Sequence, residues 1–373
     1  MSFKAVPLAI FAAACICTAS PTDEVERNID LLRGITVPGE SSAIAKLNER
    51  MDTAWRFLEK HKAQALPRAK AELKQEIDVK SPDQFFLMDV GYFLIRNDPE
   101  SVELPLAALQ HIDPTTGVIQ ANWQELFHFA MRLGESGKFV ETYLAEMDRI
   151  FLTNSLSVKF FAAPHWIDFN PADQIGFVYG VVGEPAAAHL DKVIAAPGPY
   201  QTLALRMMSS VGSEADVPAV EAALNSATTF KQAAAAITVL MEVGGPSGQA
   251  AVLRYDGSKA DEKTRQYLNK VRNAVASVDI AYFERQLASV YPTKHLSKSA
   301  VKRALDQMDR HNGADDETPP IDVFRSGLPA NELIARLKKI RALSFRRENN
   351  HVFGDLPITN LLINGLQFKA AAK

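Results

Sequence analysis

From Pro21 onward, apolar positions recur at three- and four-residue spacing almost without interruption. Glu24 to Leu32 reads as a short amphipathic helix. Ser41 to Leu66 reads as a longer one, with Ile44, Leu47, Met51, Trp55 and Leu58 along one face, the stripe that a helix buries against a neighbour. Pro67 to Ile77 is strongly charged and predicts a face in water. Ser81-Pro82-Asp83 predicts a helix start, with serine as cap, proline at the first helical position and acid in the first turn. The helix it opens, "QFFLMDVGYFLI", is apolar nearly all round. Asp98-Pro99-Glu100 predicts a further start, with an end near Ile112. Asp113 to Gly117, "DPTTG", predicts a turn. Trp123 to Leu133 and Lys138 to Phe151 form a helical pair joined by "GESG". No stretch alternates with a period of two for long enough to require a strand. The expected fold class is all-α.

The middle of the chain repeats itself. Val182-Gly183, Val211-Gly212 and Val243-Gly244 each end an apolar helix, at nearly regular spacing. Each is followed by a short polar turn and an Ala-rich helix: "EPAAAHLDKVIAA", "SEADVPAVEAALN" and "GPSGQAAVLRY". One further step of the same length as the last leads to Val275-Ala276, a degenerate fourth copy. Superposing the second copy on the third pairs Pro218 with Ala250, Ala219 with Ala251 and Val220 with Val252. This pattern resembles HEAT-like helical repeats over about residues 173–287. The Val-Gly corner and the Pro or Ala opening of the second helix carry the resemblance; the charged positions common between the two helices of such repeats are largely absent. The resemblance implies an α-solenoid, since no single helix pair can bury its apolar face alone and neighbours must stack.

Around this array, residues 20–172 read as diverged N-terminal helix pairs, with Leu133-Gly134 and "KFVETYLAEM" as an earlier unit. Repeats are expected over 173–291, and residues 292–373 form a C-terminal helical region. Its residues 312–320, "NGADDETPP", read as a linker. Leu328 to Phe345 is amphipathic, with Leu333, Leu337, Ile340 and Leu343 on one side. The closing "FGDLPITNLLINGLQFK" is apolar and is expected to pack as a terminal cap. At the third corner, Gly244 reads as a left-handed helix cap and Pro246 as the first turn of the next helix.

The first residues have a different character. "MSFKAVPLAIFAAACICTAS" carries one lysine, a short apolar core and then small residues, the layout of a secretory signal peptide over 1–19. Cleavage after Ala19 would leave small residues at the two positions a signal peptidase reads. An alternative is lipid attachment at Cys15, because "AAAC" loosely resembles a lipobox. Both cysteines, Cys15 and Cys17, lie in this segment, so the rest of the chain has neither disulfide nor thiolate chemistry. Export without disulfides suits a periplasmic or secreted protein, or a lipid-anchored envelope protein. Beyond the first residues, no apolar run reaches the length of a membrane span.

Charge adds little. The 373 residues carry a formal net charge of −3, which does not point to nucleic acid as a partner. The glycine-rich "MEVGGPSGQAAVL" fails as a phosphate loop, for no Lys-Ser/Thr follows Gly248 and no strand precedes it. The eight histidines include no His-Glu-x-x-His pair, and the acidic run Asp309 to Glu317 lacks the ligand register of a calcium loop. Neither metal nor cofactor is expected.

Two stretches remain as candidates. "APHWIDFNPAD", 163–173, brings His165, Trp166, Asp168 and Phe169 together in an irregular segment, the kind that carries ligand or partner contacts. Trp123 and Tyr179 are its expected neighbours, and the competing reading is a hydrophobic plug. "RLKKIRALSFRR", with Arg336, Lys338, Lys339, Arg341, Arg346 and Arg347, offers six bases to an anionic partner; the competing reading is the wet face of an amphipathic helix. The function expected is binding of a protein or peptide partner, or scaffolding of an envelope assembly, without catalysis. The alternative is an enzyme or small-ligand-binding protein with a pocket around 163–173.

Overall fold

The computed structural model describes residues 21–35, 41–152, 171–196, 198, 200–311, 318–345 and 356–372. The proposed signal segment 1–19 with Cys15, the candidates His165, Trp166, Asp168 and Phe169, and Arg346 and Arg347 all lie outside the described residues. Among those described, the regular structure is entirely helical and holds no strand.

The N-terminal region runs α1 (Pro21–Asp30), α2 (Ser41–Lys60), α3 (Lys62–Ile77), α4 (Gln84–Asn97), α5 (Glu103–His111), α6 (Gly117–Ala121), α7 (Trp123–Glu135) and α8 (Val140–Met147). Helix α4 packs against α3, α5, α6 and α7, which explains why it is apolar all round: Phe85, Phe86, Leu87, Met88, Phe93 and Leu94 are fully buried. Arg33 fastens α1 to α3 through Glu72 (2.8 Å) and Glu76. Its guanidinium also lies 3.7 Å from the centre of the Phe86 ring.

Several boundaries differ from the sequence reading. The expected helix over 41–66 breaks at His61 (φ −109°), and Pro67 falls inside α3, past its first turn, where it removes one backbone donor from the helix. The cap of α4 is Asp83, not Ser81; its carboxylate accepts from Phe85 N (3.1 Å) and Phe86 N (3.0 Å). Asp98-Pro99-Glu100 is a turn rather than a helix start, and α5 begins at Glu103. The Asp98 carboxylate binds Lys70 Nζ (2.6 Å) and Ser101 Oγ (2.7 Å) instead. Helix α8 ends at Met147 and passes into one π-helical turn, Asp148–Leu152.

The repeat region gives α9 (Pro171–Gly180), α10 (Glu184–Ala195), α11 (Gln201–Val211), α12 (Val217–Ser226), α13 (Phe230–Val243), α14 (Gly245–Arg254) and α15 (Glu262–Val275). Helices α9, α11, α13 and α15 pack in succession, and α10, α12 and α14 form a second row against them. The corner glycines differ in backbone. Gly183 is left-handed (φ +76°), but Gly212 is extended (φ −67°, ψ 169°). Gly244 is right-handed helical (φ −80°), and the left-handed residue of that corner is Gly245 (φ +56°). The left-handed cap expected at Gly244 is therefore displaced by one residue. Gly244 is small for another reason: a Cβ there would collide with Leu240 O and lie 2.7 Å from Gly248 Cα.

The last third forms α16 (Ile280–Val290), α17 (Lys298–His311), α18 (Pro320–Arg325), α19 (Ala330–Phe345) and α20 (Leu356–Ala371). They enclose a second core that includes Phe283, Leu287, Val301, Leu305, Ile321, Phe324, Leu337 and Leu362. Thr318 and Pro320, within the expected linker, are buried; Pro320 opens α18. Nor does the tail only close an end. Helix α20 also packs on α13 and α14, and α19 on α9, so these helices lie along the corners of the two-row array.

Candidate functional site

The corner surface owes its form to unfilled hydrogen bonds. A helix leaves its last carbonyls without partners, and here the ends of α11 and α13 point them at α19 and α20. Asn360 Nδ2 donates to Ser209 O and Asn364 Nδ2 to Met241 O, each at 2.7 Å. Asn360 and Asn364 stand one turn apart on α20, while Ser209 and Met241 are separated by the same step as the Val211 and Val243 corners, the spacing of the sequence repeat. Gln367 Nε2 continues the series to Val243 O (3.4 Å), and Arg341 Nη2 donates to Gly212 O (2.8 Å). Asn360 and Asn364, one turn apart on α20, thus bind the ends of α11 and α13, successive helices of one row. The contact is close at two corners: a Cβ at Gly183 would sit 3.3 Å from Ala342 Cβ, and one at Gly245 would sit 2.8 Å from Gln367 Oε1.

Among the predicted site residues, Arg341 is buried. It is only 3% exposed, and its Nη1 donates to Asn360 Oδ1 at 2.7 Å. Burial pushes its pKa down to about 10, against the opposing pull of Asp216 and Glu184. Such a side chain cannot meet an external anion without leaving its seat. Arg336 pairs with Asp306 on α17 (2.8 Å), and Lys338 Nζ lies 3.7 Å from Glu184 Oε1 on α10. Lys339 is exposed. Most of the described bases therefore fasten α19 to its own chain.

A second constellation lies where the chain leaves the π-helical turn for residues 153–170. Asp148 opens that turn. Its Oδ1 accepts from the Tyr179 hydroxyl and its Oδ2 meets His189 Nε2, both at 2.8 Å. Asp148 and His189 keep about a quarter of their side-chain surface, at 23% each, whereas Tyr179 is fully buried. Burial, reinforced by the Asp148 charge, raises the Tyr179 phenol well above its ordinary range, so it stays a hydrogen-bond donor. Tyr143 OH donates to Val178 O (2.7 Å), and Arg149 ties the turn to Ile112 O (2.8 Å) and Leu109 O (2.9 Å). Chemically, a carboxylate that orients an imidazole can hold or pass a proton. π-Helical turns often mark functional positions. Of the expected neighbours of 163–173, Tyr179 belongs to this cluster, and Trp123 packs its ring against Phe127 (6.4 Å between centroids).

Sequence reasoning missed the two features that matter most here. The carboxamides Asn360, Asn364 and Gln367 follow an i, i+4, i+7 pattern in a helix otherwise read as apolar, and that pattern was the available signal. Asp148 and His189 stand far apart in the chain, on either side of residues 153–170, and carry no local motif. Among the described residues, no group of three or more His, Cys, Asp or Glu side chains is placed to hold a metal ion. No described helix is long and apolar enough to cross a membrane. The chain matches no protein-family model, no curated protein and no solved structure.

Proposed function

We propose that this chain is an extracytoplasmic helical-repeat protein in which residues 173–287 form a HEAT-like α-solenoid. Its work is to bind a protein or peptide partner, or to scaffold an envelope assembly, without catalysing a reaction. The observation that carries this reading is the carbonyl ladder at the corners: the array already holds one helix through polar side chains matched to the repeat spacing. Stacked repeats offer extended surfaces of this kind, and recognition of helices and peptides is their ordinary use. Cross-linking of the full-length protein in its native envelope, followed by mass spectrometry, tests the reading. The expected result is reproducible protein cross-links that map to residues 173–287. Cross-links confined to other parts of the chain, or none, would overturn it. Residues 1–19 are proposed as the export signal, with lipid attachment at Cys15 as the alternative; the intact mass of the mature chain separates the two.

A small-ligand or enzymatic reading is favoured by one observation, the Asp148–His189–Tyr179 cluster at the start of the 153–170 stretch. That reading places His165, Trp166, Asp168 and Phe169 around the same ligand. It expects His189→Gln to abolish ligand binding while the fold, followed by circular dichroism, persists.

A further inference from the structure

Cations without a partner gather where α16 leads into α17. From Gln286 to Leu305 the chain carries no aspartate or glutamate, while Lys294, Lys298, Lys302 and Arg303 all fall within that stretch. All of them are exposed and form no ion pair among the described residues. The arrangement runs against what stability favours. A helix N-terminus carries partial positive charge and is steadied by acids, yet the first turn of α17 has none and begins with Lys298. Lys298 and Lys302 stand one turn apart, a like-charge spacing that weakens a helix.

The loop between the two helices is fixed from within. Asp322 on α18 is buried, and its carboxylate accepts from Thr293 Oγ1, Lys294 N (2.9 Å) and Leu296 N (3.3 Å). His295 takes a left-handed backbone there (φ +54°), a conformation that costs energy for a residue with a Cβ. On one side of this loop stand two exposed apolar residues, Val290 (41%) and Tyr291 (36%). On the other, Ser297, Lys298, Ser299 and Lys302 line an open hollow of about 610 Å³, together with Leu328 and Pro329. Glu332 of α19 is the acid on that lining. Acids close by in the chain are engaged elsewhere: Glu284 pairs with Arg325 (2.5 Å) and Asp306 with Arg336 (2.8 Å).

We propose that the surface formed by residues 290–303 binds the face of an anionic phospholipid membrane. Lys294, Lys298 and Lys302 meet headgroup phosphates, and Val290 and Tyr291 enter the headgroup layer beside them. Charge selects an anion as the occupant, since the cations stand exposed with no acid of their own stretch to answer them. The neighbouring apolar pair selects a membrane among anions: an exposed aromatic and an aliphatic residue bordered by lysines is the layout of an interfacial contact. The lysines are unevenly spaced, and a fluid headgroup layer adapts to uneven spacing, whereas an acidic peptide would have to match it. Each Lys or Arg held close to an anionic surface raises partitioning about fivefold. The surface lies outside residues 173–287, so it stands apart from the partner proposed for the repeats.

Flotation of the full-length protein with vesicles provides the test. The vesicles are phosphatidylcholine alone, or phosphatidylcholine with about one-third phosphatidylglycerol, at roughly 0.1 M salt, where surface charges still act over about 10 Å. Affinity for the anionic vesicles is expected to exceed that for the neutral ones at least tenfold, and the excess should vanish at roughly 0.5 M salt. The neutral vesicles also subtract any binding through the apolar first residues. The triple variant Lys294→Ser/Lys298→Ser/Lys302→Ser should lose roughly a hundredfold in affinity for anionic vesicles. Lys62→Ser/Lys74→Ser/Lys80→Ser changes the net charge equally at exposed sites of the N-terminal region and should stay within about threefold of wild type. Tyr291→Ser should weaken binding severalfold without altering its salt dependence. Equal binding to neutral and anionic vesicles, or an equal loss in the two triple variants, overturns the proposal. Tight binding of poly-glutamate without binding of vesicles also overturns it, and would assign the surface to an acidic protein.

Discussion

Replacing Asp89 with asparagine is expected to stabilise the protein above pH 7 and to leave it nearly unchanged at pH 4. Asp89 sits on α4 and is only 5% exposed, in the middle of the first core. Its Oδ2 accepts from Trp55 Nε1 at 2.8 Å. Burial, only partly offset by that hydrogen bond and worsened by the charge of Glu125, pushes its pKa from 3.8 up to about 7. Between those values the native state holds a proton that the unfolded chain has released. Stability therefore falls as pH rises from about 4 to about 7 and levels off above, where the full cost is present. A shift from 3.8 to about 7 corresponds to about 4 kcal/mol at 1.36 kcal/mol per unit, an upper bound because the native state can relax around the charge. Asparagine keeps an acceptor for the indole N–H and removes the titration.

Urea unfolding, followed by tryptophan fluorescence at pH 4, 6 and 8, measures the difference directly. The variant is expected to gain roughly 2–4 kcal/mol over wild type at pH 8 and less than about 1 kcal/mol at pH 4. A difference that does not change with pH would show that Asp89 does not carry the proton, and the reasoning would fail. A variant less stable than wild type at pH 8 would show that the ionised carboxylate is wanted, and Trp55 would then be its counter-group rather than a bystander.

Other perturbations test the corners and the docking contacts. Gly245→Ala forces a side chain into a left-handed backbone and against Gln367; a loss of roughly 1–2 kcal/mol is expected in thermal or urea melts, and no loss would contradict the assigned φ. Gly244→Val is expected to cost more, about 2–3 kcal/mol, because the added atoms meet the Leu240 carbonyl and the backbone of Gly248 rather than open space. Asn364→Leu strips the donor from Met241 O and should cost about 1–3 kcal/mol, partly offset because Asn364 Oδ1 has no partner among the described residues. Asn364→Asp turns a charge towards a carbonyl and should cost more than leucine; the reverse order would refute the ladder. Tyr143→Phe removes the hydroxyl bond to Val178 O and should cost about 1 kcal/mol, measured by the same melts.

The helices were legible because burial imposes a helical period, and the chain obeys it nearly everywhere. Their boundaries were less so. Ser81 and Asp83 are both good caps, and only the backbone reveals that Asp83 receives the first free N–H groups of α4. The break at His61 has no glycine or proline to announce it, so an uninterrupted stripe of apolar residues concealed it. Arg341 is instructive. It is one of six bases in its stretch, yet it stands one helical turn after Leu337 and two after Leu333, both buried. Its position on the apolar stripe should outweigh its charge. His189 and Asp148 meet across a helix junction, which a one-dimensional reading cannot bring together. The segment 163–173, favoured for its aromatics, begins close behind Asp148 in the chain, and only Tyr179 of its expected neighbours belongs to that pair's hydrogen-bond network.

The corner glycines acquire a different meaning from this arrangement. Read along the chain, each is the stop of one helix before the next. Only Gly183 and Gly245 need the left-handed backbone that such a stop implies; Gly212 and Gly244 do not. What the three corners share is close approach by the C-terminal helices: Ala342 against Gly183, Arg341 on the carbonyl of Gly212, and Gln367 over Gly245. A side chain at Gly183 or Gly245 would press against Ala342 or Gln367 and so against α19 or α20, whereas one at Gly212 would meet Met208 of its own helix. Close approach of the tail therefore accounts for glycine at 183 and 245 as much as the turn does, while Gly212 and Gly244 are small because a Cβ would strike their own corners. The close approach also explains why the tail answers with amides. A neutral carboxamide can donate to a helix-end carbonyl without a charge to bury, and two of them one turn apart on α20 match two repeats. Where the tail uses a cation instead, at Arg341, the guanidinium is held by Asn360 Oδ1 (2.7 Å) and by the Gly212 carbonyl (2.8 Å), so the same corner that a carboxamide would bind by one N–H is bound here by a side chain that also fixes its neighbour on α20.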